Sequence, residues 1–163
     1  MQARLAYLGL GGNLGDPIQH IIDARQAIFA WRHCLAGQSS YFYLSSPVGY
    51  QDQADFINCA LEISTTAEPY QLLEFCQALE LQLGRVRDPK NQNSARTIDI
   101  DILMMEEQHL NEADLTLPHP RMNERLFVLL PLLDLLENQQ KKNLKNQIAK
   151  GDFEGQMVHR LLV

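Results

Sequence analysis

Hydrophobic positions along the chain fall into two rhythms, one of period two and one of period near 3.6, and their order predicts the architecture. Residues 4–11, RLAYLGLG, read as a first strand ended by the glycine-rich GLGGNLG, after which Asp16 and Pro17 form an N-cap with proline at the first helical position. The helix that follows puts Ile18, Ile21, Ile22, Ile28 and Phe29 on one stripe. SSYFYLSS, 39–46, reads as a second strand, and SPVGYQDQAD as a connection of turn formers. FINCALEIS, 56–64, reads as a third strand. A second helix, 69–83, carries Leu72, Cys76, Leu79 and Leu83 on its apolar side, and ARTIDIDILM, 95–104, returns to strand periodicity. The predicted order is β-α-β-β-α-β, an α+β ferredoxin-like βαββαβ sandwich with additional C-terminal helices. Both early helices would cover one face of the sheet and leave the other free for a site.

Beyond the fourth strand, Asn123 is placed to cap a helix carrying Leu126, Leu129, Leu130 and Leu133, which Pro131 should kink or restart. The tail from Gln139 is polar and lysine-rich, with little pattern. No linker divides the chain, so residues 1–163 read as a single domain.

The fourth strand poses a chemical question. Ile98, Ile100 and Ile102 alternate with Asp99 and Asp101, so both carboxylates project from one side, their Cα atoms roughly 6.5–7 Å apart. Aspartate is depleted in strands. The pair either holds a metal or a close metal pair, or marks an exposed face that uses charge to discourage edge pairing. By the same parity Ile57, Cys59, Leu61 and Ile63 form the core set of the third strand, leaving Phe56 and Asn58 together on the other side. An aromatic ring beside an amide can stack on a flat heterocycle and read its polar edge; it can equally sit beneath a loop whose backbone the amide satisfies.

Five arginines bracket the acidic strand: Arg85 and Arg87 after the second helix, Arg96 at the strand's start, and Arg121 and Arg125 beyond it. Arginine suits bidentate phosphate contact, though any one of these could be an ordinary surface residue. His119 stands between Pro118 and Pro120, a stiff setting from which the imidazole could donate to a phosphate oxygen or cap a turn. There is no G-x-G-x-x-G, phosphate loop, nucleophile elbow or zinc-ligand spacing. Phosphate handling would fall to metal and arginines.

Composition narrows the classes. At 163 residues, 45% hydrophobic and 21% charged, the chain suits one globular domain. The N-terminus lacks a signal peptide's pattern, and the longest apolar run, LFVLLPLLDLL, is too short and interrupted to span a bilayer, so a cytoplasmic location and no membrane partner are expected. Cys34, Cys59 and Cys76 lack CxxC spacing and read as reduced core thiols. A net charge of −6 and a pI near 5.3 argue against nucleic-acid binding.

Taken in order, YLGLGGNLGD, SSPVGYQDQADFINCAL, LELQLGRVRD, ARTIDIDIL and LTLPHPRMNERLFVLLPL resemble the 6-hydroxymethyl-7,8-dihydropterin pyrophosphokinase family over residues 6–133. The resemblance implies a monofunctional, monomeric enzyme of folate biosynthesis that moves pyrophosphate from ATP to a pterin hydroxymethyl group, releasing AMP by in-line attack on the β-phosphorus. It implies Asp99 and Asp101 as ligands of two Mg²⁺, with Arg87 and Arg96 also catalytic. Gln77, Glu80, Arg85, Arg87, Arg96, Ile102, Thr116, His119 and Arg125 are implied to contact ATP, and Ser45, Pro47, Val48, Phe56, Asn58 and Phe127 to line the pterin slot. No side chain stands out as a general base. The sequence departs from the family pattern in the loop DPKNQNSA, which lacks the aromatic that many members carry, in Phe56 where tyrosine is often found, and in Asp114 where some members place an arginine.

Overall fold

The computed structural model describes residues 2–49, 51–86 and 94–162. Its elements run β1 (Arg4–Gly12), α1 (Pro17–Phe29), β2 (Cys34–Ser39), β3 (Tyr43–Ser45), β4 (Phe56–Thr65), α2 (Pro69–Gln82), β5 (Asp99–Met105), β6 (Leu110–Asn111), β7 (Thr116–Leu117), α3 (Leu126–Leu135), α4 (Asn138–Lys150) and β8 (Val158–Arg160). The main sheet has the order β5-β1-β4-β3-β8, with β2 also pairing β4, and its ladders are antiparallel. The protein is thus mixed α and β, with an antiparallel sheet and, among the described residues, four α-helices.

Two apolar layers sandwich the sheet. On one face Leu8, Leu61, Ile63, Ile100 and Ile102 pack with Ile21 and Ile28 of α1 and Leu72 and Leu79 of α2. On the other, Tyr7, Ala60 and Leu103 pack with Val128, Leu129 and Leu132 of α3. The second face is therefore covered over part of its area by α3, and the site occupies the remainder. Asp16 caps α1 as its spacing predicts, its carboxylate accepting the Gln19 N–H at 3.1 Å.

A bulge sets the parity of the acidic strand. Tyr7 pairs with Met104 but Leu8 pairs with Ile102, so Leu103 is an extra residue and both it and Met104 turn toward α3. Asp99 and Asp101, on the near side of the bulge, keep the alternation expected of them.

Several expectations are corrected. Of the predicted strand 39–46 only Tyr43–Ser45 forms a strand of its own, β3; Ser39 ends β2, which begins at Cys34, ahead of the predicted start, and the two are separated where the Ser40 hydroxyl accepts the Ala60 N–H at 2.8 Å. The acidic strand begins at Asp99 and not at Ala95, because the segment before it bonds to Asn13 and Leu14 past the end of β1. Asn123 does not cap α3: it lies in a short 3-10 turn, Met122–Glu124, and α3 starts at Leu126. That helix is anchored instead by Gln156, whose Oε1 accepts the Leu126 N–H at 2.9 Å and whose Nε2 donates to the Glu124 carbonyl at 2.8 Å. Pro131 lies inside α3 without ending it. The polar tail forms α4 and then β8, which extends the sheet beyond β3.

Candidate active site

A cavity of about 630 Å³ opens on the face that α3 leaves bare. Its wall joins the ends of β1, β4 and β5 to the segments after α2 and before α3. Ser45, Val48, Phe56, Asn58, Arg85, Arg96, Asp99, Asp101, His119, Arg125 and Phe127 all line it, so most of the candidates from sequence meet on one concave surface. Arg121 lines it too. Pro47, Gln77, Glu80, Ile102 and Thr116 lie off the wall: Gln77 is exposed on α2, Thr116 is half-buried on β7, and the Ile102 side chain belongs to the core beneath α1 and α2. Arg87 and residues 88–93 of the loop fall outside the described residues.

The charged floor alternates in sign. Asp99 accepts from Arg96 at 2.6 Å through Oδ2 and pairs with Arg85 at 2.6 Å through Oδ1. Arg85 also pairs with Glu80. Arg125 stands 4.0 Å from Asp101, whose side chain remains 40% exposed toward the cavity. Burial under the cavity walls, and then the Asp99 charge, push the Asp101 carboxyl up to about 7. Burial works against the Arg85 charge, yet Asp99 and Glu80 outweigh it and raise its pKa. His119 is held below its ordinary value, chiefly by burial and then by Arg125 and Arg121. Its Nδ1 accepts the Arg121 N–H at 3.1 Å, so the neutral ring carries its proton on Nε2, free to donate.

The apolar half is built from β4 and the start of α3. Asn58, almost fully buried, donates from Nδ2 to Ser45 Oγ at 2.8 Å and to the Tyr43 carbonyl at 3.4 Å. Its Oδ1 faces Gly11 on β1, where a Cβ would come within 2.8 Å. The two aromatics are each partnered by an arginine of the acidic half: the Arg96 guanidinium lies 5.5 Å from the Phe56 ring centre, and that of Arg125 5.8 Å from Phe127.

One organising residue escaped the sequence reading. Asn13 is buried just past β1, accepts the Arg96 N–H at 2.9 Å, and donates to the Gln53 side chain at 3.0 Å and the Ala54 carbonyl at 2.9 Å. It ties the arginine of the acidic half to the loop before Phe56. An asparagine in a glycine-rich turn reads as an ordinary turn former, so nothing local flagged it.

Two carboxylates and several arginines suit a hard cation that brings its own oxygen ligands. Among the described residues no group of three or more His, Cys, Asp or Glu could hold a metal by itself. Asp99 and Asp101 would supply one or two oxygens, with phosphate and water completing the shell, as Mg²⁺ prefers.

The profile of the 7,8-dihydro-6-hydroxymethylpterin-pyrophosphokinase (HPPK) family matches residues 7–137. This chain belongs to the HPPK family. It is 38% identical over 154 residues to the 2-amino-4-hydroxy-6-hydroxymethyldihydropteridine pyrophosphokinase of Bacillus subtilis, which covers 94% of this chain and 89% of that protein. A protein of the same name from Pseudomonas aeruginosa is 38% identical over 152 residues, 91% of this chain and 93% of that one. The fold is that of the crystal structure of an HPPK-DHPS in complex with substrates, with a TM-score of 0.68 at 13% identity over 100% of this chain and 47% of that one. An HPPK-DHPS of Plasmodium falciparum gives a TM-score of 0.64 at 16% identity, over 90% of this chain and 44% of that one. This chain spans about half the length of these solved structures.

Proposed function

We propose that this single domain transfers the terminal pyrophosphate of ATP to 6-hydroxymethyl-7,8-dihydropterin, giving AMP and the pterin diphosphate. One observation carries the reading: in a member of the HPPK family, a single cavity brings the Asp99 and Asp101 carboxylates and four arginines beside a slot walled by Phe56, Asn58 and Phe127. The strand order, with β1 between β4 and β5, supports a ferredoxin-like βαββαβ core.

In this reading Phe56 and Phe127 stack on the pterin ring, and Asn58, its amide nitrogen already held by Ser45, offers Oδ1 to the ring edge. Asp99 and Asp101 would hold Mg²⁺, which when bound spreads the phosphate charge and orients the β-phosphorus. Arg85, Arg96 and Arg125 then turn toward the phosphate oxygens, and neutral His119 donates from Nε2. Arg87 joins the same role on sequence grounds. Gln77 and Thr116 border the nucleotide from outside the cavity wall. No described side chain is placed as a dedicated base, so rate enhancement comes from positioning and charge stabilisation.

The test is the nucleotide product formed with ATP, Mg²⁺ and the pterin, with Asp99→Ala as control. AMP that depends on pterin and on Asp99 is the expected result. ADP would replace the proposal with ordinary phosphoryl transfer, and pterin binding without turnover would reduce the protein to a binding module.

A further inference from the structure

Among the described residues Glu80 is the one charged side chain that is buried, 2% exposed, and it lies off the cavity wall. The partners described for it, Ile100 and Arg85, both belong to the site's acidic half. Among the described residues strand β5 has a neighbouring strand on one side only, β1, and an edge strand leaves alternate main-chain groups without a strand partner. Ile100, the residue between the two aspartates, donates its N–H to Glu80 Oε1 at 2.7 Å. A side chain from α2 thus takes the place of a missing strand at the amide of Ile100, the residue between Asp99 and Asp101. The same oxygen pairs with Arg85, and the Glu80 carbonyl accepts the Arg85 main-chain N–H at 3.0 Å across Gly84, whose φ of 86° ends the helix. Arg85 in turn grips Asp99.

We infer that Glu80 is a positioning residue that fixes the Asp99–Asp101 backbone and balances Arg85 so that its hold on Asp99 yields to a cation, and that it does not itself touch the nucleotide. Two separable actions follow. The hydrogen bond to Ile100 needs only an acceptor oxygen, whereas the balance of Arg85 needs a negative charge. Glu80→Gln keeps the first and loses the second; Glu80→Ala loses both. With the charge gone, Arg85 is left to Asp99 alone, and the local field turns less favourable to a cation.

This inference rests on the pyrophosphokinase reading of the cavity, so its test separates the two. Amide exchange at Ile100 is followed by NMR, and Mn²⁺ affinity is measured with α,β-methylene-ATP, whose bridge cannot be cleaved at the reacting bond. Glu80→Ala should speed Ile100 exchange about tenfold or more and weaken Mn²⁺ several-fold. Glu80→Gln should restore Ile100 protection but not the Mn²⁺ affinity. In turnover, the Gln variant should need more Mg²⁺ for half-saturation and recover most of its kcat when metal is saturating. If Gln rescues both readouts, or neither readout moves, the inference is overturned. It is also overturned if the variants lose discrimination between ATP and ITP at saturating metal, which would show direct nucleotide contact. A wild-type protein that forms no AMP would sink the pyrophosphokinase reading alone, because the exchange and Mn²⁺ measurements still decide what Glu80 holds.

Discussion

Asn13 grips the main chain of Arg96 from both sides: its Oδ1 accepts the Arg96 N–H at 2.9 Å, and its own N–H donates to the Arg96 carbonyl at 2.9 Å. Because Arg96 also pairs with Asp99 and lies near the Phe56 ring, this clamp fixes where the acidic and aromatic halves of the cavity meet. Asn13→Ala removes a buried amide that accepts the Arg96 N–H and donates to the Ala54 carbonyl. We expect a loss of about 1–3 kcal/mol in unfolding free energy, together with a fall in kcat/KM. Chemical denaturation alongside AMP formation checks both; unchanged kinetics in a destabilised variant would confine Asn13 to the fold.

The aromatic wall can be tested apart from the phosphate site. Phe56→Ala deletes a stacking face that for planar bases is worth about 1–3 kcal/mol, or roughly 5- to 150-fold in affinity. The expected outcome is weaker binding of 6-hydroxymethyl-7,8-dihydropterin by that factor in calorimetry with α,β-methylene-ATP present. Phe56→Tyr, which keeps the face, should bind close to wild type. An unaltered affinity in the alanine variant would remove Phe56 from the pterin slot.

What the chain reveals by itself follows the range of the forces involved. The parity of Asp99 with Asp101 and of Phe56 with Asn58 is a period-two property of one strand, and the structure turns both pairs into the cavity. The breaks came from distant partners. Strand β2–β3 is interrupted by a hydroxyl answering Ala60, twenty residues away, and α3 is started by Gln156, thirty residues downstream. Gln77 and Glu80, both implied to contact ATP, stand three residues apart on α2, and three residues turn an α-helix through about 300°, which leaves the two side chains about 60° apart. That rotation is enough to expose Gln77 and bury Glu80.

Close approach at the end of β1 gives a steric prediction. A Cβ on Gly12 would collide with the Thr97 carbonyl oxygen and come within 3.3 Å of the Arg96 carbonyl. Both obstacles are main chain and belong to the segment that leads into the acidic strand, so neither can swing aside. Gly12→Ala should therefore cost about 1–3 kcal/mol, as overpacking does, and should displace Arg96 from Asp99. Gly84→Ala makes the contrast: nothing lies within 4 Å of its Cβ, and the penalty comes from the positive φ alone, about 1–2 kcal/mol. Thermal unfolding ranks the two; a Gly12 variant with wild-type stability and kinetics would refute the close approach.

Asp101 makes metal-free stability depend on pH in a direction opposite to that of His119. Asp101 is raised from an ordinary value of 3.8 to about 7, first by burial and then by Asp99, so the fold prefers its neutral form. Its contribution is fully present below 3.8, where both folded and unfolded chains are protonated, and is lost as pH rises through about 7. His119 is lowered below its ordinary 6.5, so its contribution is present above 6.5 and lost as pH falls through the folded value. In EDTA, Asp101→Asn should raise the unfolding temperature at pH 8 by roughly 2–4 °C, about 1 kcal/mol for a half-open carboxylate after solvent screening. The advantage should shrink as pH falls and vanish below about 3.8, where folded and unfolded Asp101 are both neutral like asparagine. His119→Gln should flatten the loss of stability below pH 6 without altering the alkaline side. Adding Mg²⁺ and ATP at pH 8 should erase the advantage of Asp101→Asn, because bound cation favours the ionised carboxylate that the variant lacks. An Asp101→Asn shift of equal size at pH 3.5 and pH 8 would show that packing, and not the ionisation of Asp101, sets the effect.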